Sequence, residues 1–299
     1  MIREVRTPDT LLSPTPDGRG FDAWSTLRLS FDSKLPSQKA FKTMLASAGR
    51  GLAASSGEML EAVFTGERLA QECDAENVLH YNVGVGNFRD ATRYGVRFER
   101  LWARPSGRAD EAALAAPVAT HHGYRVVPCE TPSRHWRIAR NLMTIRGVPV
   151  GTLDANSKPD PVWLATRMRM QGSVAPHHGP YGLQVRWRAL RDPGLGDAVK
   201  VLLDGIVSAL HVHDGRDLEA LSSSVSSRLG LPAAEVAHLL MDHPSAVLGR
   251  RRLLWPRAGA HQWNPGDDAC ATATVQWDTD GTGDPGTMDI EVVAVEPLS

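Results

Sequence analysis

The sequence has 299 residues, of which 42% are hydrophobic and 22% are charged. This composition is typical of a globular protein and excludes disordered and fibrous classes. A chain of this length forms one large domain or two closely packed ones. The formal net charge of −1 at pH 7 excludes a global basic field, so a nucleic-acid surface would have to be a local patch.

The cysteines and the first residues indicate the compartment. The three cysteines lie far apart, without the close spacing of a zinc site, so we expect a reducing compartment. The N-terminus lacks the apolar core of a signal peptide. No run reaches the roughly 18 apolar residues that a membrane span needs. These patterns predict a cytoplasmic protein without membrane contact.

The N-terminal half is expected to contain more strands than helices. Residues 1–22 contain three prolines and little pattern, which predicts a loose tail. Alternation over 24–31 predicts a strand, and 38–48 predicts a helix with Ser37 as its N-cap. Further strands are predicted at 78–85, 94–102 and 123–127. The segment 58–70 is expected to be a helix or mixed structure, and 107–116 a helix or linker.

The C-terminal half carries the clearest periodicity. Leu183, Val185 and Trp187 alternate with polar residues, which predicts a strand over 181–190. An amphipathic helix follows, from a cap at Asp197 to about residue 210. We expect two short helices at 217–229 and 232–241. Two strands are expected at 271–277 and 288–295, and they are predicted to form a hairpin.

The order of these elements predicts the fold class. Strands and helices that do not alternate regularly indicate an α+β fold with a mixed or antiparallel sheet. We expect an N-terminal α+β region at 23–170 and a C-terminal α+β region at 175–299 that holds the candidate site. The two regions are also compatible with one composite domain. No internal repeat is visible in the sequence.

Lys200, Asp204 and Asp214 form the most informative polar group in the C-terminal region. On a helix, Lys200 and Asp204 are four residues apart and share a face, and Asp214 follows where the helix ends. Carboxylates bind hard divalent cations through oxygen, and a nearby lysine stabilises charge on a phosphate. This frame suits metal-assisted phosphodiester hydrolysis.

The segment from Leu195 to Asp214 resembles the signature of the RusA-type Holliday-junction resolvases. In that family a short acidic motif precedes a helix with a lysine and, four residues later, an aspartate, and further aspartates follow. With the strand before it, the resemblance covers about 35 of the 299 residues, from about 181 to 217. It implies a RusA-like unit in the C-terminal half that dimerises, binds branched DNA and cuts it with magnesium. It also implies that Lys200, Asp204 and Asp214 are catalytic and that Asp204 and Asp214 bind the metal. Asp197 would be a substitute metal ligand.

The segment also departs from the family pattern. The two acids expected before the helix fall on Gly194 and Gly196, and the second aspartate expected after it falls on Gly215. Asp197 stands where an asparagine is usual. The nearby acids Asp192, Asp197 and Asp217 are close enough in the chain to substitute. Binding without hydrolysis, by a scaffold with a degenerate metal site, is therefore an alternative.

Arginines and one further loop complete the candidate surface. Arg186 and Arg188 on the predicted strand, and Arg250 and Arg251 further on, are candidates for phosphate contacts. The loop 262–268 is polar. In it, Asp267 and Asp268 are candidate cation ligands, and Trp263 is a candidate for stacking on a base.

The same region is also compatible with a purely structural role and with a histidine metal site. Lys200 and Asp204 suit a surface helix pair, and Asp214 with Gly215 suits an ordinary turn. His211 and His213 have the spacing of a histidine metal site, which would indicate a metalloenzyme that acts on a small molecule. The tandem pairs His121-His122 and His177-His178 point to opposite sides of an extended chain, so a pair rarely binds one ion.

Overall fold

The computed structural model describes residues 2–29, 35–66, 78–103, 114, 116–153, 156–188, 195–242, 244–257, 260–277 and 284–298. In this part of the chain five α-helices accompany one large mixed sheet of ten strands. The predicted α+β class is therefore confirmed. The segment 107–116, expected as a helix or linker, lies almost wholly outside the described residues.

The helices are α1 (Pro36–Gly49), α2 (Pro159–Arg169), α3 (Leu195–Ala209), α4 (Leu218–Leu229) and α5 (Ala233–Met241). None of these described helices has the length and apolar character that crossing a membrane requires. The helix predicted at 38–48 is α1, but Ser37 is not its N-cap, because the helix begins at Pro36 after Leu35. Proline favours this first helical position, where its missing N–H is not needed.

The strands are β1 (Val5–Thr7), β2 (Thr10–Pro14), β3 (Gly20–Ser25), β4 (Glu58–Gly66), β5 (Gly95–Leu101), β6 (Thr120–Pro128), β7 (Trp136–Pro149), β8 (Tyr181–Arg188), β9 (Val212–His213), β10 (Arg250–Arg251), β11 (Leu254–Arg257), β12 (Ala260–Trp263), β13 (Cys270–Trp277) and β14 (Thr287–Pro297). The large sheet has the order β1-β2-β3-β6-β4-β5-β13-β8-β14-β7. Strand β9 pairs with β10, and β11 pairs with β12, in two small separate sheets.

The large sheet contains one arrangement twice, although the sequence shows no repeat. In the first unit the chain runs β3, α1, β4, β5, β6, and these strands lie in the order β3-β6-β4-β5. In the second it runs β7, α2, β8, β13, β14, with the order β7-β14-β8-β13. The pair directions also match, since β4 runs parallel to β5 and β8 parallel to β13, while the other pairs are antiparallel.

The two units meet where β5 pairs antiparallel with β13. Equivalent strands that pair antiparallel relate their units by an approximate two-fold rotation perpendicular to the sheet. The register places Val96 opposite Val275 and Phe98 opposite Ala273, and all four side chains are buried in the same core. The junction is therefore continuous in both its hydrogen bonds and its packing.

One face of the sheet packs on the helices, and none of the helices that the structure describes covers the other face. The alternation predicted on β8 is confirmed, because Leu183, Val185 and Trp187 are buried in the core whereas Gln184 and Arg186 are exposed. The same alternation along β4, β5 and β13 places polar side chains on the helix-free face. This face carries a cluster of charged groups and a cleft at the junction of the units.

Residues 1–22 do not form a loose tail. They contain β1, β2 and the start of β3, and Leu12 and Phe21 are only 1% and 0% exposed. Thr10, Leu11 and Leu12 are all buried, so β2 lacks the alternation of a half-buried strand. A strand covered on both sides cannot be recognised by period, and this is why the sequence pattern misled.

Two further expectations are wrong because strand neighbours are set by the whole fold. Strands β13 and β14 exist but form no hairpin, since β8 lies between them, parallel to β13 and antiparallel to β14. The segment predicted as a strand at 78–85 is a π-helical turn (Val78–Gly84). It occupies, between β4 and β5, the place that α3 holds between β8 and β13.

The second unit begins with β7 and α2, which both lie before residue 170. Strand β7 pairs with β14, and α2 packs against α3, so both elements belong to the second unit. The chain passes from one unit to the other through the linker 129–135, between β6 and β7.

Candidate functional site

The predicted lysine–aspartate pair lies on α3. Its apolar positions Val199, Leu202 and Ile206 are buried and orient the helix. The Lys200 ammonium lies 2.6 Å from Oδ1 of Asp204, and the two side chains are 15% and 17% exposed. The shared face expected from their spacing is confirmed. The helix begins at Leu195, so Asp197 lies in its first turn rather than at the cap.

A third group joins this pair from a distant part of the sequence. Oδ2 of Asp267 lies 4.0 Å from Nζ of Lys200. Asp267 begins a short 3-10 turn (Asp267–Ala269) directly before β13. The two segments that the sequence singled out separately, α3 and the loop 262–268, therefore converge on the lysine.

Burial raises the pKa of Asp204 to about 6, against the lowering effect of Lys200 and with a further increase from the charge of Asp267. The carboxyl thus depends on the ammonium to remain charged near neutral pH. Lys200, Asp204 and Asp267 form a compact group with one positive and two negative formal charges.

Asp214 makes different contacts. Its Oδ1 accepts the backbone N–H of Arg216 at 3.0 Å, and its Oδ2 lies 3.4 Å from the guanidinium of the same residue. This is the geometry of a turn that follows β9. The side chain of Asp197 and the whole of Asp192 lie outside the described residues.

The fit of a divalent ion can be tested on these contacts. Among the residues that the structure describes, no three His, Cys, Asp or Glu side chains form a group able to hold a metal. The Lys200 ammonium already lies beside the carboxylates of Asp204 and Asp267, where a cation would have to bind. The described residues therefore do not fit magnesium.

The four predicted phosphate-binding arginines lie on two different sheets. Arg188 forms an ion pair with Asp289 and donates to Thr287 at 3.1 Å. Arg251 lies 3.1 Å from Asp268. Arg186 on β8 and Arg250 on β10 are exposed.

The exposed tryptophan of this region is not the one expected. Trp263 is only 9% exposed and packs on Trp163 at 5.3 Å between ring centroids. Trp255 on β11 is instead 45% exposed, and the Arg252 guanidinium lies 4.0 Å from its ring centroid. In the sequence, the arginines at 250–252, directly before Leu253-Leu254-Trp255, were the feature that could have indicated this exposed arginine–tryptophan contact.

The histidines after α3 have structural contacts. Nδ1 of His211 lies 3.2 Å from the carbonyl oxygen of Gly249, and burial lowers the pKa of His211 to about 4. Nδ1 of His213 accepts the N–H of Gly215 at 2.9 Å. Both rings thus contact the backbone through Nδ1.

A buried chain of hydrogen bonds joins Ser224, His261 and Asp160, and the sequence did not indicate it. Ser224 Oγ lies 2.8 Å from His261 Nδ1, and His261 Nε2 lies 2.6 Å from Asp160 Oδ1. Ser224 is inside α4, where neighbouring N–H groups are bonded within the helix and cannot form an oxyanion hole. The chain ties α2, α4 and β12 together.

Charged residues are also buried on the helix-free face. Arg97 on β5 lies 2.5 Å from Glu61 and 3.3 Å from Glu99, and both glutamate side chains are 0% exposed. Arg97 also donates to the carbonyl oxygen of Thr131 in the linker at 2.5 Å. Burial raises the pKa of Glu99 to about 7. The alternation of Arg97 and Glu99 with Phe98 was the sequence signal for a polar face.

Comparison of the chain with family models, with curated proteins and with solved structures finds no match. The function is therefore inferred from the geometry of the described residues and from the resemblance of the α3 segment.

Proposed function

We propose that the protein binds branched nucleic acid as a single chain with two paired units and does not hydrolyse it. The observation that carries this proposal is the duplicated unit, joined about an approximate two-fold axis by β5 and β13. The resolvase family that the α3 segment resembles acts as a dimer on branched DNA. One chain with two similar units would present two related surfaces without a second copy, with the α3 segment on the second unit.

The group around Lys200 supports binding without hydrolysis. The ammonium lies 2.6 Å from Asp204 and 4.0 Å from Asp267, so these two acids are engaged with a lysine, while Asp214 is engaged with Arg216. The glycines at the positions of three expected acids point the same way. A role for magnesium stays a prediction, which assays of the junction with and without the ion address directly.

The surface formed by Arg250, Arg251, Arg252, Trp255 and Arg257, here the arginine hairpin, supports contacts to phosphates and to a base. Two of its arginines are paired with exposed acids: Arg251 lies 3.1 Å from Asp268 and Arg252 lies 2.5 Å from Asp217, and these acids are 79% and 45% exposed. Exposed ion pairs contribute only about 0–1 kcal/mol, so phosphates can replace the acids readily. Trp255 offers an aromatic face to an unpaired base.

The test is fluorescence anisotropy with a labelled four-way junction, a linear duplex of the same sequence and a single strand. In EDTA, we expect the protein to bind the junction more tightly than the duplex or the single strand. The affinity should fall as the salt concentration rises, because phosphate contacts release counterions. Arg252→Ala should weaken binding and reduce the salt slope by about one unit. Arg6→Ala on β1, an exposed arginine at the far edge of the sheet, is the matched control and should change neither.

Two outcomes would contradict the proposal. Failure of all three DNAs to bind at about 50 mM salt would exclude nucleic-acid binding. Magnesium-dependent cleavage of the junction that disappears in Asp204→Asn would show a working hydrolytic centre and exclude the non-hydrolytic part.

A further inference from the structure

A cleft of about 580 Å³ opens on the helix-free face of the sheet at the junction of the two units. Strands β5, β13, β8 and β14 form its floor, and residues 129–133 of the linker form one wall. Its volume lies within the range of about 300–1,000 Å³ that is usual for small-molecule sites.

The floor of the cleft is lined by neutral polar side chains in register. Thr274 on β13 lies directly beside Gln184 on β8, and Gln276 lies beside Arg186. Neighbouring strands are about 4.8 Å apart, so these side chains form a flat array of amide and hydroxyl groups. An exposed glutamine amide offers both a donor and an acceptor, the pattern that pairs with the edge of a base.

Gly182 keeps this floor shallow beside the apolar wall. A Cβ at this position would lie 2.9 Å from Cγ2 of Thr272 and 3.2 Å from Cγ2 of Val293. A larger residue would therefore displace the floor or fill the cleft.

The opposite wall is apolar and remains accessible. Ile138 and Leu298 both line the cleft, and they are 54% and 48% exposed. Trp136 closes the wall and is held in place, since its Nε1 donates to the carbonyl oxygen of Arg100 at 3.2 Å. Exposed apolar side chains that converge on one concave site indicate a ligand with an apolar face.

The charges around the cleft are unequally satisfied. Arg97 is fixed by Glu61 and Glu99, and Arg137, which also lines the cleft, is paired with Glu296. Arg186 is exposed on the floor of the cleft, where it can contact an anionic group. Glu99 is fully buried, and within the described residues neither of its carboxylate oxygens has a hydrogen bond of good geometry. Its carboxyl lies next to Ser133, which lines the cleft.

We propose that this cleft binds one unpaired nucleotide of the bound nucleic acid, with the base between the apolar wall and Gln184 and the phosphate at Arg186. This inference deepens the proposed function and rests on it. Contact of a base with apolar and aromatic side chains, a bidentate amide and an arginine–phosphate pair are the interactions that such a nucleotide needs. The cleft lies mainly on the second unit, beside its junction with the first, where Arg97 and the linker complete the lining.

The test compares a fully paired duplex with the same duplex that carries one bulged 2-aminopurine, by anisotropy and by 2-aminopurine fluorescence. We expect the bulged duplex to bind at least about fivefold more tightly, with a fluorescence change on binding. Gln184→Leu preserves the size of the side chain and removes its amide, so the preference should fall towards one. Gln171→Leu replaces an exposed glutamine outside the cleft and should keep the preference.

The outcomes separate this inference from the proposed function. Equal affinity for the two duplexes, or a preference that survives Gln184→Leu, would overturn the nucleotide site while the junction still binds. Absence of binding to every DNA would overturn the proposed function and this inference together. A thermal melt of each variant, equal to that of the wild type, shows that the changes arise in the cleft and not in folding.

Discussion

Glu99 illustrates how the surroundings of one residue determine its chemistry. It lies on β5 beside Arg97, within reach of the linker, and its side chain is 0% exposed. Burial disfavours its charged form and raises its pKa from 4.5 to about 7, although Ser133 and Arg97 favour the charged form. The folded protein therefore binds a proton here more tightly than the unfolded chain does.

The first prediction concerns the pH dependence of stability at Glu99. Because the pKa of Glu99 is raised in the folded protein, its contribution to the free energy of unfolding is complete below pH 4.5. This contribution is lost as pH rises through 7. Relative to Glu99→Gln, the wild type should lose about 2–3 kcal/mol of unfolding free energy between pH 5 and pH 8. Urea unfolding at several pH values measures this difference.

The matched control for Glu99 is Glu296→Gln on β14. The Glu296 side chain is 53% exposed and pairs with Arg137, so its substitution should change the pH slope little. If the difference in unfolding free energy between the wild type and Glu99→Gln stayed constant between pH 5 and pH 8, the raised pKa of Glu99 would be contradicted.

At the scale of elements, the contact between α2 and α3 positions the lysine–aspartate pair. A Cβ at Gly205 on α3 would lie 2.6 Å from Cβ of Val162 and 2.9 Å from the carbonyl oxygen of Pro159. Glycine inside a helix costs about 0.5–1 kcal/mol relative to alanine. The close approach of the two helices explains why glycine nevertheless occupies this position, one residue after Asp204.

The second prediction is that Gly205→Ala destabilises the protein by about 1–3 kcal/mol, because the added methyl group overpacks the helix contact despite its better helix propensity. Urea unfolding measures the effect. Gly86→Ala is the control, since a Cβ there meets no atom within 4 Å, and its effect should stay within about 0.5 kcal/mol. A Gly205→Ala variant more stable than the wild type would show that the helices separate easily.

At the scale of the whole molecule, strand pairing rather than the covalent linker holds the two units together. Strand β13 pairs with β5 over five residue pairs, and residues of both units form one buried core. The linker 129–135 covers the helix-free face and contributes to the cleft. Cutting the linker should therefore leave the sheet intact.

The third prediction follows from this arrangement. A protease site inserted between Glu130 and Thr131, once cut, should leave the fragments associated in size-exclusion chromatography. The β5–β13 ladder and its buried side chains remain, and only the chain connection is lost. Mutation of the junction, Val275→Asp, would bury a charge beside Val96 and should separate the cut fragments. Fragments that separate after cutting alone would show that the linker is essential.

Local sequence patterns were sufficient for the α+β class, the alternation on β8 and the shared face of Lys200 and Asp204. These features follow from helix and strand periods, which act over a few residues. The duplication of the fold, the position of β8 between β13 and β14, and the approach of Asp267 to Lys200 emerge only in three dimensions. The buried cluster around Glu99 likewise depends on strands that are distant in sequence. Such contacts reflect the free energy of packing the whole chain, which no local pattern contains.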